Sequence, residues 1–158
     1  MKPNLLRIGR TWAPVAICMA LIFVFSSDAF AAPNTSSIFA PLLSWMMPGI
    51  AQETIDMLHG MLRKLGHLTE YFILASLLAS AHKAQWPEQT PANRFASCVV
   101  IATLYAISDE WHQSFVPSRS ASAVDVAIDA SGAILGAIWS RYRARVHKDR
   151  GKARQDVK

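Results

Sequence analysis

Arg63-Lys64-Leu65-Gly66-His67-Leu68-Thr69-Glu70-Tyr71 runs without a break into Phe72-Ile73-Leu74-Ala75-Ser76-Leu77-Leu78-Ala79-Ser80-Ala81. Two cations, an imidazole and a carboxylate therefore stand at the mouth of an apolar run. Ionisable groups beside a membrane-length apolar segment are costly in lipid and are retained for function. The same juxtaposition closes a second apolar run, at Ser108-Asp109-Glu110-Trp111-His112-Gln113, followed by Pro117, Arg119 and Asp125. Whether these runs lie in lipid or in the core of a water-soluble bundle decides the fold.

A soluble bundle would carry a charged stripe every three to four residues along each helix. Leu21-Ile22-Phe23-Val24-Phe25 and Cys98-Val99-Val100-Ile101-Ala102 carry none. The 158-residue chain is 52% hydrophobic and 17% charged, against roughly a quarter charged in an average soluble domain. A bilayer core takes about 20 apolar residues in a helix, and segments of that order fall at about 11–27, 65–82, 94–112 and 121–140. The reading is an all-α, polytopic integral membrane protein, with four transmembrane helices in a compact bundle. Residues 1–140 form the transmembrane domain, and 141–158 a basic, poorly ordered cytoplasmic tail. Between the first two spans, Ile38 to Met47 is apolar and broken by Pro41 and Pro48, while Ile55, Leu58, Met61 and Leu62 recur at helical spacing. That outer segment reads as amphipathic, lying in the interface or extending the second span outward.

Sidedness follows from Lys and Arg placement. With both termini in the cytoplasm, thirteen of the sixteen basic residues lie inside, and only Arg63, Lys64 and Arg119 lie outside. Both polar clusters then converge on the extracytoplasmic face. The N-terminus also resembles a signal peptide, ending at Ala29-Phe30-Ala31; the anchor is read as uncleaved. Cys18 and Cys98 lie in apolar runs as small hydrophobes. The basic tail suits anionic lipid headgroups, and no nucleic-acid motif accompanies it.

Within the second span, Lys64, His67 and Tyr71 share a broad face, with Glu70 beside them. In the third, Asp109, His112 and Gln113 share a face and Glu110 points about 100° away. His67 with Glu70, and Asp109 with His112, have a spacing that can share a metal ion, so Glu70, Asp109, His112 and Asp125 are candidate ligands of a divalent metal; the zincin motif is absent. Arg119 offers a planar fork for carboxylate or phosphate, or pairs internally with Asp109, Glu110 or Asp125. Ser122, Asp125, Asp129, Gly132 and Gly136 form one stripe of the last span, two carboxylates above a small-xxx-small pair for helix packing.

Taken together, Phe25-Ser26-Ser27, Arg63-Lys64-x-x-His67-x-x-Glu70-Tyr71, Asp109-Glu110-x-His112-Gln113-x-Phe115-x-Pro117-x-Arg119, Asp125-Val126 and Asp129-x-x-Gly132-x-x-x-Gly136 resemble a VanZ-like membrane protein. The likeness covers nearly the whole chain apart from the tail. Ser118 stands where the family often has Gly, and Asp129 where Asn is frequent. The resemblance implies a small multi-pass protein of the bacterial inner membrane, in a family named for a member associated with teicoplanin resistance. It leaves the chemistry to the residues.

Three functions fit them. The first is binding of an anionic lipid or lipid-linked cell-wall precursor headgroup in the outer cleft by Lys64, His67, Glu70, Tyr71, Asp109, Glu110, His112, Gln113, Arg119, Asp125 and Asp129. The second is an intramembrane hydrolase, with His67, Glu70, Asp109, Glu110, His112 or Asp125 as catalytic groups and a metal to activate water. The third is a proton-coupled transporter using Glu70 and Asp129. The expected order is binding, then hydrolysis, then transport.

Overall fold

The structure is a computed structural model that describes residues 5–155. Five α-helices follow one another: α1 (Leu5–Phe25), α2 (Ala32–Met46), α3 (Gln52–Gln85), α4 (Pro91–Gln113) and α5 (Ala123–Gln155), with a single 3-10 turn (Asp28–Phe30) between α1 and α2. No strand occurs among the described residues.

Local chemistry sets the boundaries. The Thr90 hydroxyl accepts the Asn93 N–H at 3.2 Å and Pro91 opens α4, a Pro position that sacrifices no helical hydrogen bond. His82 and Lys83 sit in the last turn of α3, where cations complement the helix dipole. Gly49, at φ 88°, takes a left-handed turn between α2 and α3 that glycine adopts without strain.

α5 packs most extensively on α3. A Cβ added at Gly132 would overlap the Leu68 carbonyl oxygen, and one at Gly136 the Phe72 carbonyl oxygen. The two glycines therefore let the backbones touch, and the Ser76 hydroxyl reaches across to the Gly136 carbonyl at 3.3 Å. α4 is tied to α1 by the Tyr105 hydroxyl, which donates to the Met19 carbonyl at 2.6 Å.

α4 and α5 invert the pattern of a water-soluble bundle. Ala102, Ala106, Ala133 and Ala137 are buried, while Leu104 is 60% and Ile138 51% exposed. On these two helices small residues face in and large apolar ones face out, which suits a lipid surround better than water, while Ile22 of α1 and Tyr71, Leu74 and Leu78 of α3 supply the large buried side chains. By length and apolarity, two helices can cross a membrane, α1 over Ile8–Phe25 and α5 over Ala123–His147. α3 and α4 do not meet that measure. His67, Thr69, Glu70 and His82 interrupt α3, and Ser108 to Gln113 polarise the end of α4.

Two expectations change. The segment between α1 and α3 is not simply broken by prolines: Pro41 lies inside α2. The basic stretch from residue 141 is not irregular as far as Gln155 but continues α5, because Arg, Lys and Ala are good helix formers and cations favour a helix C-terminus.

Candidate functional site

The C-terminal ends of α1 and α4, the N-terminal end of α5 and the middle of α3 meet at one end of the bundle. Buried Ser26, at the end of α1, donates its hydroxyl to Asp109 Oδ2 at 2.6 Å. The Gln113 amide, one turn along α4, donates to the same oxygen at 3.0 Å. Asp109 Oδ1 has no hydrogen-bond partner.

Glu110 is buried as well. Its Oε2 accepts the Ser122 N–H at 2.7 Å, fastening the end of α4 to the start of α5. Neighbouring carboxylates lie about 100° apart on a helix, and each here meets a different partner helix. Asp125 occupies the first turn of α5, where negative charge is favoured by the dipole.

Asp129 is fully buried, with His67 Nδ1 3.4 Å from its Oδ1. The imidazole and the carboxylate face each other without an aligned hydrogen bond. Tyr71 is fully buried, its hydroxyl unpartnered and its ring 6.3 Å from that of Tyr105.

Arg119 departs furthest from expectation. It forms no ion pair with Asp109, Glu110 or Asp125 among the described residues. Its guanidinium donates instead to the Phe25 carbonyl at 2.5 Å and to the Ser27 carbonyl at 3.3 Å, at the negative end of α1. Burial first, then the nearby Arg63 charge, lower its pKa from the ordinary value, against the opposing pull of Asp109, Glu110 and Glu70. An arginine remains charged under such shifts. The Ser118 hydroxyl bonds Asp28 and holds the Arg119 loop against the 3-10 turn.

Ser26, His67 and Arg119 line a cavity of about 230 Å³, with His59, Arg63 and Glu70 completing its ionisable wall and Phe25, Phe30 and Leu62 its apolar one; Tyr71, Asp109, Glu110, Gln113, Asp125 and Asp129, expected in the cleft, are not among its lining residues. α2 closes it from the side, where the Thr35 hydroxyl and His59 Nε2 lie 2.9 Å apart and the Phe39 ring is 5.3 Å from that of His59.

Lys64 is exposed and does not line this cavity; Arg63, one residue earlier and about 100° around the helix, does. His112 turns from its neighbours and lies against the Phe23 ring, centroids 4.3 Å apart. Among the described residues, no three His, Cys, Asp or Glu side chains are placed to hold a metal ion. Sequence reasoning missed Ser26, His59 and Arg63 as site residues. Ser26 carries no charge to betray it, and only its place in Phe25-Ser26-Ser27 marked it.

A family model described as VanZ/LLP1 matches residues 11–143. No curated protein and no solved structure matches the chain.

Proposed function

The chain belongs to the VanZ/LLP1 family, and on that premise we propose that it is a multi-pass protein of the bacterial inner membrane whose outer cleft binds an anionic envelope headgroup. The headgroup belongs to a phospholipid or a lipid-linked cell-wall precursor, and its binding modulates envelope properties, glycopeptide susceptibility among them. α1, α3, α4 and α5 each cross the bilayer, with both termini in the cytoplasm. At about 1.5 Å per residue, the 34 residues of α3 outrun a hydrocarbon core of about 30 Å. The first turns of α3, with α2, therefore stand above the outer surface.

One observation carries the binding reading. Arg119 is held by helix-end carbonyls rather than by a carboxylate, and it faces the same cavity as Arg63. Carbonyls orient a guanidinium and leave its net charge intact. Two cations on one concave wall suit a phosphate or carboxylate, and Glu70 can accept a hydroxyl or amide of the same ligand.

A second reading, hydrolysis of that headgroup, is favoured by His67, which lines the cavity with buried Asp129 behind it. A carboxylate-backed imidazole is the arrangement of a general base.

The experiment uses full-length protein in neutral detergent and a polyprenyl phosphate as probe. Arg63→Gln/Arg119→Gln is expected to weaken binding at least about tenfold, since charge-assisted hydrogen bonds contribute roughly 1.5–3 kcal/mol each. Unchanged binding by a folded double variant would refute the reading. Release of inorganic phosphate from a polyprenyl diphosphate, abolished by His67→Asn, would select hydrolysis.

A further inference from the structure

At the opposite end of the bundle, α3, α4 and α5 enclose a second cavity, of about 590 Å³. Lys83 comes from the last turn of α3, Arg94 from the first turn of α4, and Arg141, Arg143 and Arg145 from α5. No Asp or Glu is among the residues that line it. Leu77, Ala79, Phe95 and Ala137 line it as an apolar wall. We infer that this cavity is a binding site for an anionic phospholipid of the cytoplasmic leaflet, its phosphate among the basic side chains and an acyl chain along the apolar wall.

Several independent features converge on that ligand. Five cations around one space, with no acid in its lining, repel one another, and an anion relieves them. Pro91 opens α4 onto the cavity, so the positive end of that helix dipole adds to the field. Arg94 donates to the Trp86 and Gln89 carbonyls at 3.4 and 3.1 Å, while its Nε is buried without a partner. The side chain is thus positioned with donor capacity unspent.

The apolar wall selects an amphiphile over a free anion, which would use only the cationic mouth. Depth is set by aromatics. Trp139 and Tyr142, rings 6.0 Å apart, are exposed on the outside of α5, and Trp12 packs edge-on against Trp86 with centroids 5.9 Å apart. Trp and Tyr gather where the hydrocarbon meets the headgroups. Basic pockets between helices at the cytoplasmic surface are suited to lipid phosphate.

This inference rests on the membrane reading above but not on the outer cleft. The test titrates full-length protein in neutral detergent with phosphatidylglycerol or phosphatidylcholine and counts bound lipid by native mass spectrometry. Wild type is expected to prefer phosphatidylglycerol. Arg141→Gln/Arg145→Gln is expected to weaken that binding roughly 30-fold, from about fivefold for each basic group near a lipid surface. Arg141→Lys/Arg145→Lys keeps the charge and is expected to retain most of the binding.

Arg10→Gln/Arg150→Gln removes the same charge from exposed positions at this end of the bundle and is expected to bind like wild type. In an Arg63→Gln/Arg119→Gln background, which removes the outer cleft's own anion binding, the loss caused by Arg141→Gln/Arg145→Gln is expected to persist. Equal loss in the Arg10/Arg150 variant would reduce the site to general attraction and overturn the inference. So would equal binding of phosphatidylcholine, or displacement of the lipid by inorganic phosphate at matching concentration.

Discussion

Replacing Gly136 by Ala sets two opposing terms against each other, and the structure says which wins. Within a helix, Ala is favoured over Gly by about 1 kcal/mol. At Gly136, however, the new methyl would overlap the Phe72 carbonyl oxygen and come within 3.0 Å of the Phe72 carbonyl carbon and Cα. These are backbone atoms of α3, so no rotamer change relieves the contact and the helices must part. Overpacking typically costs about 1–3 kcal/mol, and a rigid backbone obstacle belongs at the top of that range. The net expectation is a loss of about 2 kcal/mol. At roughly 2–4 °C per kcal/mol for a chain of this size, the melting temperature in detergent should fall by about 4–8 °C, followed by far-UV circular dichroism. Gly132→Ala should behave alike against Leu68 and should disturb His67 and Asp129, since Asp129 lies one turn away on the same helix. The pair should be less than additive, because one displacement of α5 relieves both contacts. Gly60 is the control: it sits within α3, and no neighbouring atom lies within 4 Å of the place a methyl would take, so Gly60→Ala should raise stability by up to about 1 kcal/mol. A Gly136→Ala protein melting at or above wild type, as Gly60→Ala is expected to, would refute the close-packed α3–α5 contact.

Two further outcomes are expected. Ser26→Ala removes the 2.6 Å donor to Asp109 and leaves Gln113 alone on that oxygen; one buried hydrogen bond lost while the acceptor keeps another costs about 0.5–1.5 kcal/mol, and an unchanged melting temperature would remove Ser26 from the network. A C-terminal fluorescent-protein fusion should be bright and a C-terminal alkaline phosphatase fusion inactive, while an N-terminal tag should persist on the mature protein, because Val15 and Ile22 enter the core and Ser26 the site; a periplasmic C-terminus or a lost tag would contradict this.

Much of the fold is written in the chain where one contact serves one purpose. The Gly132–Gly136 spacing states directly that a backbone comes close, and the approach of α3 is that backbone. The two polar clusters announce themselves because charge beside an apolar run has few explanations. What could not be read is anything set by a second neighbour. Face assignment placed Glu110 away from Asp109 and Gln113, correctly as rotation, but α5 stands on that other side and Ser122 supplies the donor. Lys64 and Arg63 are chemically interchangeable in the sequence, and only the packing of α3 puts Arg63 on the cavity. The partner of Arg119 lies 94 residues away in sequence and is a carbonyl, which every residue possesses, so no side-chain pattern could reveal it.

That choice of partner bears on the chemistry more than the identity of any single residue. Had Arg119 paired with Asp109 or Glu110, the ion pair would have consumed its charge, and the cleft would be a structural lock. Instead, neutral donors hold Asp109, a backbone N–H holds Glu110, and the carbonyl end of α1 holds Arg119. Arg119 is fixed by carbonyl dipoles, so its charge still acts on what enters the cavity. A bundle stabilised only by polar locks between helices would cancel opposite charges directly, since leaving them separate at the edge of a low-dielectric medium is costly. The separation is intelligible if a ligand with its own negative charge completes the site, meeting Arg63 and Arg119 together while Glu70 takes its donor groups.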